Sequence, residues 1–165
     1  TLALRGATFS YNSKPCIVLT NYKNFYPTLW FALIHELYHV LFDWDDIKAN
    51  RYHLTDDSIT ELSVREREKE ADEFSREYLF SKEKSQYIKP YLNDDAYVSK
   101  YAYENSIHPS LIYVFYAYDN QASNRMAWAM AKKKSPSVEK CKKPFEIPWN
   151  EKGPIEKVIN KTNKL

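Results

Sequence analysis

The hydrophobic pattern changes period once in the first third of the chain. Ala7–Tyr11 and Cys16–Thr20 are short runs rich in β-branched and aromatic residues, with Asn12-Ser13-Lys14 between them. Turn chemistry between two such runs predicts a β-hairpin. Thr20–Tyr26 is polar and aromatic, a loop or a further edge strand. From Thr28 to Phe42 the sequence is apolar nearly all round, which predicts a helix buried on most sides. Pro27 suits its first turn, where a missing N–H costs nothing. Asp43-Trp44-Asp45-Asp46 ends it, and residues 47–60 read as a polar loop.

Ser58–Phe80 predicts a long helix, with Val64, Ala71, Phe74, Tyr78 and Leu79 as its apolar stripe and dense charge elsewhere. Pro90 breaks the next segment. Asp94 suits the cap of a helix running to about Asn105, with the Asp94-Asp95 pair at its positive end. Ser106-Ile107-His108-Pro109 punctuates. Pro109–Tyr118 and Ala122–Lys134 predict two more helices. Beyond Lys134 four prolines and many lysines predict an extended strap or a partly disordered tail. The fold class is α+β: a small antiparallel sheet, the N-terminal hairpin, packed on a helical bundle. Residues 1–131 form the body and 132–165 a basic, proline-containing tail.

Composition narrows the function. Only two glycines occur, Gly6 and Gly153, which excludes a Gly-rich phosphate loop. The net charge of +2 is unevenly spread, with ten Lys against four Glu from Lys132 onward. That tail has few interleaved aromatics, so it reads as a solvated charge run, and direct nucleic-acid binding is not expected. The longest apolar run, Leu29–Phe42, is too short and too polar to span a bilayer. Cys16 and Cys141 are far apart and suggest neither a metal pair nor a disulfide framework, consistent with a reducing, cytoplasmic setting. Gly6-Ala7-Thr8-Phe9 runs directly into a strand, as in a piece of a longer protein.

The chemistry concentrates in His35-Glu36-Leu37-Tyr38-His39. Two histidines at i and i+4 share a helix face and can reach one tetrahedral ion. The glutamate after the first is not a ligand; it suits a general base that takes a proton from water acidified by zinc. A charge and two imidazoles inside an apolar run are costly without such a role. A catalytic zinc needs a third protein ligand. His53 is one source, though in a predicted loop. The acidic helix offers Glu61, Glu66, Glu68, Glu70, Asp72, Glu73 and Glu77. Glu68, Ala71, Asp72 and Ser75 share a stripe, and the small residues would allow close approach to the motif helix. Face and spacing leave Glu68 and its neighbours as alternatives, with Asp72 placed to accept a ligand histidine's second N–H.

The motif, followed by Glu68-Lys69-Glu70-Ala71-Asp72-Glu73-Phe74-Ser75, resembles the ImmA/IrrE family of bacterial zinc metallopeptidases. Trp30-Phe31 and the upstream strands are similar too, and the resemblance covers about residues 5–120. It implies a zincin-like core, one zinc ion held by His35, His39 and Glu68, Glu36 as catalytic base, and Asp72 behind a ligand histidine. It also implies a protein substrate, a helix-turn-helix repressor or partner regulator, and a DNA-binding domain preceding this segment. The sequence departs from the family at Tyr38, where a small residue is usual, and at Ser75, where Ala is common.

Two further readings stand beside this one. His108 is a candidate oxyanion donor or simply the residue that starts a helix before Pro109. The chain is also consistent with a non-proteolytic module that keeps the fold and acts by protein contact, with Tyr38 crowding the site. The tyrosines between Tyr97 and Tyr118 recur at helical spacing, as half-buried core or interface.

Overall fold

The computed structural model describes residues 5–21, 24–50, 52–54, 62–120 and 125–142. The predicted hairpin is present as β1 (Gly6–Tyr11) and β2 (Lys14–Leu19), paired antiparallel from Gly6 opposite Leu19 to Tyr11 opposite Lys14. Asn12 and Ser13 make the two-residue turn, both left-handed at φ 49° and 60°. That handedness matches the natural twist of a hairpin. A third strand, β3 (Tyr52–Leu54), pairs antiparallel with the other edge of β1, so the sheet order is β2-β1-β3.

Helix α1 (Tyr26–Phe42) opens with Pro27 in its first turn and lies against the sheet. A second helix, α2 (Trp44–Asn50), follows at once. Within the loop expected over 47–60, residues 47–50 are therefore helix and 52–54 strand; residues 51 and 55–60 lie outside the described residues. Asp45 and Asp46 sit at the positive end of α2, and Ile47, 2% exposed, anchors it.

Helix α3 (Leu62–Phe80) packs along α1. Ala71 and Ser75 are fully buried, as close approach requires, and the Ser75 hydroxyl donates back to the Ala71 carbonyl at 2.7 Å. Tyr78, expected in the apolar stripe, is instead exposed and stacks on Phe74. The side chain of Val64 lies outside the described residues.

The remaining helices are α4 (Lys82–Ile88), α5 (Asp95–Glu104), α6 (Pro109–Asp119), α7 (Arg125–Lys134) and α8 (Val138–Lys142), with a 3₁₀ turn at Lys89–Tyr91. Asp94 caps α5 by accepting from the Tyr97 N–H at 3.0 Å, as its position predicted. The core gathers around α6, whose Leu111 to Phe115 are all buried, against Phe80, Ile88, Val98, Ala127 and Ala131.

The expected boundary at 131/132 falls inside α7. Val138 is 1% exposed, and the Pro136 carbonyl accepts from the Tyr26 N–H, so residues 132–142 pack with the body. Residues 143–165 lie outside the described residues. No described helix is long and apolar enough to cross a membrane.

The turn is a place to gain stability. Ser13 holds a left-handed backbone that glycine adopts without steric cost, so Ser13→Gly should stabilise the fold by about 0.5–1 kcal/mol. Thermal unfolding should show a Tm increase of a few degrees.

Candidate metal centre

His35 and His39 share one face of α1 and are 4% and 0% exposed. Four residues of helix bring their rings together, with Nε2 of one 3.2 Å from Nε2 of the other. Glu68 enters from α3. Its Oε2 lies 3.1 Å from His35 Nε2 and its Oε1 3.4 Å from His39 Nε2. Among the described residues, it is the one of the carboxylates left open by the sequence that converges on both rings; Glu61 lies outside them. One ligand atom from each of the three residues lies within 4.8 Å of the others, and the group can hold a metal ion.

The outer nitrogens decide the tautomers. His35 Nδ1 lies 2.9 Å from Asp72 Oδ1, and His39 Nδ1 lies 2.7 Å from Asp43 Oδ2. A carboxylate only accepts, so each Nδ1 carries the proton and each neutral ring turns a lone pair inward at Nε2. Asp72 thus sits where the sequence placed it. Asp43 was read only as the end of the helix. It is the last residue's successor on α1, one turn after His39, and the i,i+4 spacing was the available signal. Arg67 of α3 approaches the second oxygen of Asp43 at 3.9 Å and also pairs with Asp46, joining the α1–α2 corner to α3.

Without a cation, the inward lone pairs face one another and a carboxylate. A proton relieves this: burial pushes the His35 imidazolium down, but the Asp72 and Glu68 carboxylates outweigh it and raise His35 to about 9.

Glu36 looks the other way. Adjacent residues on a helix are about 100° apart, and Glu36 meets β1 rather than α3. It is 1% exposed. The Thr8 hydroxyl, itself fully buried, donates to Glu36 Oε2 at 2.6 Å. Gly6, two residues earlier on the same strand face, leaves the space Glu36 fills. A Cβ there would stand 2.6 Å from Oε1 and 2.8 Å from Cγ. Gly6 has no positive φ, so its role is room rather than backbone freedom. Neither Gly6 nor Thr8 was singled out in the sequence as serving the site.

Tyr38 turns along α3. Its hydroxyl donates to Glu70 at 2.9 Å, and its ring lies in an aromatic row with Phe42 and Phe74, edge-on to His39. Burial, then the Glu70 contact, push its hydroxyl up to about 12. His108 is the N-cap of α6, its Nδ1 accepting from the Ser110 N–H at 3.2 Å and its ring 4.9 Å from Tyr26. The structure does not bring it into the metal-facing group. Burial lowers its pKa. The backbone of His53 lies in β3 opposite Thr8; its side chain lies outside the described residues.

No protein-family model, curated protein or solved structure matches this chain.

Two outcomes are expected for metal binding, read by competition with a chromophoric chelator. Asp43→Ala and Asp72→Ala should each weaken affinity about 10–100-fold. Glu68→Ala should weaken it more, whereas Glu70→Ala should leave it unchanged. The pH dependence has a definite sign. The His35 proton stabilises the metal-free fold, fully below about 6.5, and that contribution is lost as pH rises through about 9. The chelated protein should therefore lose Tm between those values, while metal affinity rises over the same range because the ion displaces that proton.

Proposed function

We propose that this chain is a zinc-dependent peptidase domain of the ImmA/IrrE type, with a zincin-like core, that hydrolyses a peptide bond in a protein substrate. The observation that carries the proposal is the convergence of His35 Nε2, His39 Nε2 and the Glu68 carboxylate, with each Nδ1 anchored on an aspartate. Its spacing supports zinc. Tetrahedral donors about 2.0–2.1 Å from one ion stand about 3.3 Å from each other; the two Nε2 atoms are 3.2 Å apart, and the two oxygens of Glu68 lie 3.1 and 3.4 Å from one ring each. Two imidazoles in the donor set disfavour calcium and magnesium, which prefer oxygen. Three protein ligands leave a fourth position open, as catalytic zinc sites do.

Zinc held there supplies Lewis acidity, acidifying water and polarising a carbonyl. The protein supplies the rest. Glu36 is the general base. In this reading its carboxylate, held at Oε2 by the Thr8 hydroxyl, would take a proton from water and return it to the leaving amine. Gly6 and Thr8 are positioning residues, Thr8 holding the carboxylate through its hydroxyl and Gly6 leaving the room it occupies. Asp43 and Asp72 keep both ligand rings in the binding tautomer. A helix-turn-helix repressor or partner regulator is the substrate that the family resemblance suggests, and the cytoplasm its setting.

The alternative, a protein-binding module that keeps this fold without proteolysis, draws support from exposed Leu41, Phe42 and Tyr78 on the outer side of α1 and α3. Tyr38, the sequence feature that favoured it, is engaged by Glu70.

One experiment separates the two. Purified protein should hold one zinc per chain by elemental analysis and cleave a candidate regulator. Glu36→Gln should keep the zinc and lose about 10²–10⁴-fold in rate, the usual worth of a general base. Zinc without cleavage of any candidate would favour the binding module, and no divalent metal would sink both. Gly6→Ala should also keep the zinc but displace Glu36, lowering kcat by up to about 10²-fold with little change in KM.

A further inference from the structure

One face of α3 carries more than the metal-facing carboxylate. Glu68, Asp72 and Arg76 follow at four-residue steps, so they form a row, each about 6 Å further along the axis. Glu68 faces the histidines and Asp72 holds His35. Arg76 lies in the wall of a cavity of about 490 Å³ that Asp72 also lines. Phe31, Phe115 and Tyr118 give the cavity apolar walls. The Phe31 ring centre is 6.4 Å from that of His35, so the cavity begins beside the metal-facing group.

Its charges are not equally committed. Each carboxylate in the lining has a partner. Asp72 accepts from His35, Glu73 pairs with Lys69, and Glu77 accepts from the Lys82 backbone N–H. Asp119 accepts from Arg76 Nη2 at 3.1 Å and from the Ser85 hydroxyl at 2.8 Å. The cations keep capacity. Among the described residues, neither the Arg5 guanidinium nor the Lys82 ammonium has a carboxylate partner. Arg76 is 8% exposed, and its Nη1 is buried with no hydrogen-bond acceptor. The Phe115 ring, 4.1 Å from Cζ, engages the face of the guanidinium. The N–H bonds lie in its plane, where the ring cannot accept them.

We propose that this cavity is a subsite for an acidic side chain, glutamate or aspartate, of the bound polypeptide. Its carboxylate accepts from Arg76 Nη1, and its methylenes lie on Phe31 and Phe115. Arg76 shifts slightly toward the cavity to meet it. The inference rests on the peptidase reading for the presence of a polypeptide, and it adds the class of residue selected near the cleaved bond. A charged acceptor is favoured over the isosteric amide because hydrogen bonds between ionised groups are the stronger kind.

The test uses capped ten-residue peptides, identical except for Glu, Gln, Lys or Leu at one central position. Binding is measured to the full zinc-loaded Glu36→Gln chain, which separates affinity from turnover. The Glu peptide should bind about tenfold more tightly than the Gln peptide. Arg76→Lys, which keeps the charge and loses the planar fork, should bring that ratio close to one. In protein with unchanged Arg76, the ¹⁵N resonances of its side chain should move with the Glu peptide and stay with Gln, so the answer does not depend on whether the substituted chain folds. Equal affinity for Glu and Gln, a preference for Lys, no binding of any peptide, or a Glu preference with unmoved Arg76 resonances would each overturn the proposal. Cleavage of a regulator by unsubstituted protein together with equal Glu and Gln binding removes the subsite alone. Glu-selective binding without cleavage removes the peptidase reading and leaves the subsite standing.

Discussion

Two imidazoles and a carboxylate meet at one buried point, and when both rings are neutral each turns a lone pair toward the others. That arrangement is unfavourable alone, since each unmatched buried polar group costs about 1–3 kcal/mol. It is favourable around a cation, and much of the surrounding structure serves to hold it. Asp43 and Asp72 draw the ring protons outward and commit both Nε2 atoms inward. Arg67 in turn braces Asp43 against α3. Ala71 and Ser75 thin the α1–α3 contact until a glutamate side chain spans it.

One helix serves two walls because its consecutive residues diverge. His35 and His39 face α3, and Glu36 between them faces β1. The middle strand of the sheet is shaped for that carboxylate, with a missing Cβ at Gly6 and a hydroxyl at Thr8. The buried carboxylate thus has a dedicated donor and a space that a larger residue at position 6 would take away. The His35, His39 and Glu68 group and the Glu36 carboxylate are thus supported by different elements.

The bundle behind α3 sets where that helix lies. Arg76 of α3, Ser85 of α4 and Asp119 of α6 form one hydrogen-bonded group over the Phe115 ring. This ties three helices near the far end of the row that begins at Glu68. Arg76 therefore has a packing role as well as a vacant donor, and an arginine meets both demands because its face and its edge bind differently.

Much of this was legible in the chain. The hairpin, the motif helix, the long acidic helix and the capped helices after Asp94 and His108 follow from periodicity and capping residues, which act within a few positions. The His35, Glu36 and His39 pattern is local too, and the stripe of Glu68, Ala71, Asp72 and Ser75 narrowed the third ligand without choosing it. The tertiary structure decided the rest. It brought Glu68 to both rings, gave Asp43 a partner, placed Gly6 and Thr8 against Glu36, added α2 and β3 where a loop was read, and folded α8 back onto α1. These outcomes depend on contacts such as Thr8 with Glu36, 28 residues apart, and His35 with Glu68, 33 apart. A pattern with a period of two or 3.6 residues says which face a side chain occupies. It does not say which distant face it meets, because that is settled only when the helices and the sheet pack together.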